Sequence, residues 1–135
     1  MAYLESVKEL IGRTPLVKIN EHPYRDRVRI FAKLEFYNPG GSIKDRLGKK
    51  LLEDAIKSKK ISEKGTLIEP TAGNTGIGLA MAALNTDIKI ICVVPEKFSQ
   101  EKQDLMRALG TQVINTPSEL GMVGAIEKAK ELQKE

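Results

Sequence analysis

Two glycine-containing segments decide the fold of this chain. Residues 38–46 read NPGGSIKDR, and residues 69–78 read EPTAGNTGIG. From the second segment onward, three strand-then-helix units follow one another along the sequence. Such a succession requires right-handed crossovers between parallel strands, with helices packed over the sheet. The sequence therefore predicts an α/β fold, a doubly wound parallel sheet with helices on both faces.

The bounds of the elements follow from apolar periodicity, breakers and caps. Ser42 with Asp45 three residues later resembles a capping box, which predicts that a helix begins at the first segment. In the helix after residue 99, the predicted buried stripe consists of Leu105, Met106 and Leu109. The predicted strands span residues 16–19, 29–36, 66–69, 88–94 and 112–115, and the predicted helices span 42–56, 75–84, 99–109 and 118–135.

The composition is that of one globular domain. The chain has 135 residues, 41% hydrophobic and 30% charged, which suffices for a single core. The net charge of +4 comes from lysines interleaved with acidic residues and without aromatic neighbours, which indicates a solvated helix face and no nucleic-acid partner. The N-terminus lacks the pattern of a secretory signal, and no apolar run is long enough for a membrane span, so we expect a cytoplasmic protein.

Single copies of cysteine and histidine exclude several kinds of site. Cys92 lies in a continuous apolar run, so we expect a buried and unreactive thiol. His22 has no second histidine or cysteine cluster with which to bind a metal, and no nucleophile motif lies near it. No metal site, disulfide or hydrolytic triad is expected.

Lys44 is the candidate reactive group of the first segment. It follows two glycines that leave the backbone room to bend and a ligand room to approach. An accessible amine can condense with an aldehyde when desolvation or nearby positive charge makes its neutral form available. By position alone, however, a lysine at a helix start is usually a surface charge, and both interpretations stay open at this point.

The second segment predicts an anion-binding loop. It joins a strand end to a helix start, where several backbone N–H groups converge at the positive end of a helix dipole. Ligands of open α/β sheets also bind outside the carboxyl ends of the strands. The alternative is a glycine turn that serves only close packing. The glycines at 73, 76 and 78 do not have dinucleotide-binding spacing, and no phosphate-loop lysine follows them.

Together the two segments resemble the cofactor lysine and the substrate-carboxylate loop of a known family. This is the fold-type-II family of pyridoxal-phosphate enzymes that catalyse β-replacement, the cysteine synthases and cystathionine β-synthases, and the resemblance runs from about Leu10 to the last residue. It implies that pyridoxal phosphate is the cofactor, that Lys44 is the catalytic residue that holds it, and that the Asn74 side chain contacts the cofactor ring hydroxyl. It also implies a homodimer. The implied ligands of the substrate α-carboxylate are Thr71, Ala72, Gly73, Asn74 and Thr75.

One residue departs from the family pattern. Ala72 stands where cysteine synthases commonly have serine. The backbone N–H survives this change, but one hydroxyl donor is lost, which is worth about 1.5 to 3 kcal/mol when its partner is charged. We expect weaker carboxylate binding with an unchanged type of reaction.

The flanking sequence resembles cystathionine β-synthases more than cysteine synthases. The resemblance lies in Glu69-Pro70, in PEKFS at residues 95–99 and in NTP at residues 115–117. It implies β-replacement on O-acetylserine or serine, with homocysteine as the thiol and cystathionine as the product. Cysteine synthase, which uses sulfide as the second substrate, is the alternative.

The resemblance also predicts how the chain divides. Residues 1–41 are expected to join a larger domain, and residues 42–135 to form a small α/β domain that carries the lysine and the loop. The second glycine-rich loop, which holds the cofactor phosphate in this family, has no counterpart in the sequence. We therefore expect the chain to be the amino-terminal part of a larger catalytic unit and to show no turnover alone. A non-enzymatic domain or fragment is the alternative from a different class.

Overall fold

The computed structural model describes residues 3–24 and 26–134. These residues form two sheets, four α-helices and three short 3₁₀ helices, Val7–Leu10, Glu35–Tyr37 and Ser118–Leu120. The strands are β1 (Leu16–Ile19), β2 (Ile30–Lys33), β3 (Thr66–Pro70), β4 (Lys89–Pro95) and β5 (Gln112–Thr116). The helices are α1 (Lys44–Lys57), α2 (Asn74–Ala83), α3 (Gln100–Ala108) and α4 (Gly121–Leu132).

The larger sheet is parallel, with the strand order β3-β4-β5. In the register Pro70 lies opposite Val93, and Pro95 lies opposite Thr116, so the carboxyl ends of the three strands meet at one edge. Strands β1 and β2 form a separate antiparallel pair. The predicted α/β fold with a parallel sheet is confirmed.

Strand β4 carries the core on both of its faces. Because successive side chains of a strand point to opposite faces, Ile90, Cys92 and Val94 pack in one cluster with residues of α2 and α3. Val93 packs on the other face with Ala125 and other residues of α4. Helices therefore cover both faces of the sheet, which explains why the sequence of β4 is apolar from Ile90 onward.

Cys92 lies inside this core, as expected from the sequence. Its side chain is fully buried. Burial raises the pKa of the Cys92 thiol to about 12. The thiol therefore stays protonated and has no nucleophilic role.

The capping box predicted from Ser42 and Asp45 is wrong. Helix α1 begins at Lys44, whose N–H donates to Ser42 Oγ at 3.1 Å. The Asp45 carboxylate turns inward and accepts a hydrogen bond from the N–H of Gly40. The glycine turn folds back over the start of the helix. The N–H of Gly40 therefore reaches the Asp45 carboxylate, and the N–H of Ser42 does not.

The second predicted strand is too long. Strand β2 ends at Lys33, and a 3₁₀ helix follows over Glu35–Tyr37. The Asn38 side chain donates to the carbonyl oxygen of Glu35 at 2.8 Å and to Glu35 Oε2 at 2.9 Å, which holds this short helix closed.

The predicted buried stripe of α3 is wrong at one position. Met106 is buried and Leu109 packs against the core, but Leu105 is 42% exposed. Gln103 is buried instead, because its amide donates to the Phe98 carbonyl and accepts from Asn115. The last residue of the predicted final helix, Glu135, lies outside the described residues.

Helices α1 and α2 touch backbone to backbone. A Cβ added at Gly48 would lie 2.2 Å from the carbonyl carbon of Gly78, and one added at Gly78 would lie 2.3 Å from the carbonyl oxygen of Lys44. No side chain fits at either position. This contact fixes the start of α1 against the first turns of α2.

We expect Gly48→Ala to destabilise the protein. Glycine to alanine in a helix normally stabilises by up to about 1 kcal/mol. Here the added methyl group overlaps the backbone of α2, and overpacking of this kind costs roughly 1–3 kcal/mol. The measurement is the free energy of unfolding in urea, with Glu53→Ala on the exposed side of α1 as the control, expected within about 0.5 kcal/mol of wild type. A Gly48→Ala protein as stable as wild type would contradict the backbone contact.

Candidate active site

The loop after β3 is shaped from within by Thr71. Its N–H donates to the Val93 carbonyl at 3.0 Å, and its Oγ1 accepts from the N–H of Gly73 at 3.1 Å and of Gly76 at 3.3 Å. The side chain is buried. Thr71 thus sets the path of the loop, and its hydroxyl proton is the group left to donate. The prediction that Thr71 contacts a carboxylate stays a prediction.

The start of α2 presents the N–H groups suited to an anion. Those of Asn74 and Thr75 precede the first intrahelical bond, from Ile77 N–H to the Gly73 carbonyl. Both side chains are half-buried, and Ala72 is exposed beside them. The helix dipole adds positive potential at this place.

Gly73 is required by the geometry of this loop. Its φ is +150°, in the region that favours glycine, and a Cβ there would lie 2.7 Å from Lys102 Cδ. The stem of Lys102 on α3 therefore covers Gly73, and its ammonium lies two bonds beyond Cδ. Lys102 brings a cation close to the start of α2. No sequence motif links α3 to the loop, so Lys102 was not among the predicted site residues.

Lys44 lies beside the same helix start. It is the first residue of α1 and is exposed. Its carbonyl oxygen is packed on Gly78, and Asn74 lies on the same face of α2 as Gly78, one turn or about 5.4 Å nearer the N-terminus. The structure thus brings the two sequence segments together, with Lys44 next to the candidate anion site.

A polar network ties the first segment to the amino-terminal part. Arg46 donates to both carboxylate oxygens of Glu35, at 2.8 and 2.9 Å, and to the Gly12 carbonyl at 2.9 Å. The side chain of Asn38 is buried and accepts from the Gly12 N–H at 2.8 Å. The hydrogen bonds from Arg46 lower the pKa of Glu35 to about 2. Glu35 therefore stays ionised and holds the start of α1.

Asp45 is a buried carboxylate next to the candidate reactive lysine. It is fully buried, and its bonded partner is the Gly40 N–H. Its other oxygen, Oδ1, has no hydrogen-bond partner among the residues that the structure describes. Burial raises the pKa of the Asp45 carboxyl above its usual range.

The family follows from comparison with known proteins. The profile of the family described as "Pyridoxal-phosphate dependent enzyme" matches residues 7–135. The chain belongs to this family. The resemblance carried by the two segments is thereby confirmed, and so is the family cofactor that it implied.

Individual relatives of the pyridoxal-phosphate dependent enzyme family agree. The chain is 53% identical over 131 residues to a cysteine synthase of Helicobacter pylori, covering 96% of this chain and 43% of the relative. It is 51% identical over 135 residues to an O-acetylserine dependent cystathionine β-synthase of Bacillus subtilis, covering 100% of this chain and 44% of the relative. The chain therefore spans less than half the length of these curated relatives.

A solved structure shows the same fold. The crystal structure of cystathionine β-synthase from Bacillus anthracis has a TM-score of 0.82 and 62% identity, covering 98% of this chain and 50% of that one. The agreement includes the parallel sheet and its helices. The solved structure therefore confirms the predicted fold class.

The described residues fit the family cofactor. Lys44 is exposed and supplies an accessible amine, and a Cβ at Gly41, in the turn before it, would meet nothing within 4 Å. Within residues 3–24 and 26–134, no group of three or more metal-binding side chains occurs. In the same residues no helix is long and apolar enough to cross a bilayer.

We expect the pairing of Glu35 to make stability depend on pH in the acid range. The pKa of Glu35 is lowered from 4.5 to about 2, so the unfolded state binds the proton more readily. Its contribution is present above about pH 4.5 and is lost as the pH falls toward about 2. The measurement is the free energy of unfolding of wild type and Glu35→Gln between about pH 2 and pH 6, with Glu53→Gln as the control. The gap between wild type and Glu35→Gln should shrink as the pH falls, and a constant gap would contradict the assignment.

Proposed function

We propose that this chain supplies the lysine and the carboxylate loop of a β-replacement enzyme. The observation that carries the proposal is the contact of the Lys44 carbonyl with Gly78, which places the lysine beside the N-terminus of α2. The backbone of Lys44 and the N–H groups proposed to bind the carboxylate are then adjacent, which supports a reaction at the α-carbon of an amino acid. The bound cofactor would supply an electron sink for that carbon.

Each site residue has a proposed role. Lys44 Nζ would hold the cofactor and, once the amino group of the substrate has taken its place, would be free to accept the α-proton, and the Asn74 side chain would contact the cofactor ring. The substrate carboxylate accepts hydrogen bonds mainly from the N–H groups of Asn74 and Thr75. Thr71, Ala72 and Gly73 form the rest of the carboxylate-binding loop. Lys102 adds positive potential at the same place, because its stem lies on Gly73.

The proposed reaction joins O-acetylserine, or serine, to homocysteine and gives cystathionine in sulfur amino-acid metabolism in the cytoplasm. The Bacillus anthracis structure, at 62% identity, and the Bacillus subtilis relative, at 51%, carry cystathionine β-synthase names. Cysteine synthase, with sulfide as the thiol, is the second candidate, because the Helicobacter pylori relative at 53% identity carries that name. The segments Glu69-Pro70, 95–99 and 115–117 resemble those of cystathionine β-synthases and favour homocysteine.

The amino-terminal hairpin supports the proposed division into domains. Both faces of β1 and most of β2 are exposed, including Leu16 at 62% and Phe31 at 52%. A two-stranded hairpin with open apolar faces is marginal on its own. We propose that residues 1–41 join the larger domain and that residues 42–135 form the smaller one. More than half of each curated relative lies outside the matched part, and it would supply the other strands. Assembly as a homodimer is part of this proposal.

We expect pyridoxal phosphate to bind covalently at Lys44 in this chain. The protein is mixed with the cofactor, reduced with borohydride and mapped by peptide mass spectrometry. The expected result is one dominant adduct at Lys44 that is lost in Lys44→Ala and kept in Lys57→Ala, the matched lysine at the other end of α1. Adducts spread evenly over the lysines would mean that Lys44 is only a surface charge.

We expect homocysteine to be the preferred thiol in the assembled enzyme. The chain is co-expressed in turn with the unmatched part of the Bacillus subtilis relative and with that of the Helicobacter pylori relative, and each complex is supplied with O-acetylserine and either thiol, so that a preference set by this chain is one that both complexes share. Cystathionine formed with a higher kcat/KM than cysteine supports the proposal, while the reverse order would identify a cysteine synthase. The chain alone serves as the control and is expected to form neither product. Turnover by the chain alone would contradict the need for the remaining half.

A further inference from the structure

Three successive side chains in the first turn of α1 differ in burial and in bonding. Lys44 is exposed, Asp45 is fully buried, and Arg46 is bonded to Glu35. Successive residues of an α-helix are rotated by about 100° because one turn has 3.6 residues. Once the two residues after the lysine are held, the direction in which Lys44 leaves the helix is set.

The contact of Asp45 is with a turn made of two glycines. The N–H of Gly40 donates to Asp45 Oδ2, and a Cβ at Gly40 would lie 2.5 Å from Oδ1 and 2.9 Å from Oδ2. Gly41 follows with a φ of +78°, and its N–H donates to the Asn38 carbonyl at 2.8 Å. The carboxylate therefore fills the inner side of the turn, and only glycine fits at position 40.

A buried carboxylate lowers the stability of the fold at this contact. Burial of a charge is unfavourable unless it is paired, and the neighbouring cation, Arg46, is bonded to Glu35 instead. Oδ1 has no partner among the described residues. Packing alone would be served better by an apolar side chain, so the acceptor itself has a use at this position.

We infer that Asp45 is a positioning residue that holds the Gly40–Gly41 turn against the first turn of α1 and thereby fixes the direction of Lys44. Among the residues that the structure describes, the hydrogen bond from Gly40 N–H to the carboxylate is what joins the turn to the helix start. On the other side the Lys44 carbonyl rests on Gly78. The inference rests on the proposed function only for what Lys44 then binds.

The first test is amide hydrogen exchange on Asp45→Ala and Asp45→Asn in the 135-residue chain. Exchange at Gly40 should become about tenfold faster in Asp45→Ala, because its acceptor is gone, while the β4 amides of Ile90 and Val94 keep their rates. Asp45→Asn should stay near wild type because its amide oxygen still accepts. Asp54→Ala is the matched control, an aspartate on the same helix that is 55% exposed.

The second test measures the lysine itself. The ratio of the reduced pyridoxal-phosphate adduct at Lys44 to that at Lys57 should fall about tenfold in Asp45→Ala and recover in Asp45→Asn. If Asp45→Ala does not fold, Gly40→Ala displaces the turn from the other side and should lower the same ratio.

Three results would overturn the inference. The first is an unchanged Gly40 exchange rate in Asp45→Ala, and the second is an equal increase in the exchange rates of Gly40 and the β4 amides. The third is an unchanged ratio of Lys44 to Lys57 adduct in a variant in which exchange at Gly40 is faster. If wild type forms no preferred adduct at Lys44, the proposed function fails separately. The positioning role is then decided by the nuclear Overhauser contacts between Lys44 and Gly78, which Asp45→Ala must weaken for the role to stand.

Discussion

The contact of two helix backbones at Gly48 and Gly78 is the constraint on which the site depends. Neither position has room for a methyl group, so the helices approach as closely as their main chains allow. The Lys44 carbonyl is carried onto α2, one turn from Asn74. A larger residue at either glycine would push the two helices apart and change the position of the lysine relative to the loop. Displacements of about 1 Å can cost a hundredfold in rate.

The parallel sheet supplies the second half of this geometry. Because β3, β4 and β5 end at one edge, the loop after β3 can be tied to its neighbour, and Thr71 bonds to the Val93 carbonyl there. Thr71 then binds the N–H groups of Gly73 and Gly76. The N–H groups of Asn74 and Thr75 are left for a ligand. Thr71, which the family resemblance predicts to be a carboxylate ligand, is thus also the residue that shapes the loop.

The order of strands and helices and both site segments were predictable because apolar periodicity and glycine turns are local signals. The errors have non-local causes. Asp45 accepts from Gly40 because a turn folds back on the helix, which the spacing to Ser42 cannot reveal. Gln103 is buried because Asn115 and Phe98 satisfy its amide. Lys102 reaches the loop from α3, a helix that no motif connects to it.

Local rules are broken mainly where the candidate site lies. Gly73 has a φ of +150°, two glycines weaken helices at their crossing, and one oxygen of the buried Asp45 carboxylate has no hydrogen-bond partner among the described residues. Each of these features lowers stability in isolation. The large core around β4 follows the rules closely and offsets them. Such a distribution is expected where a fold trades stability for geometry. These departures coincide with the proposed site, and a chain selected for stability alone would have no reason to keep them.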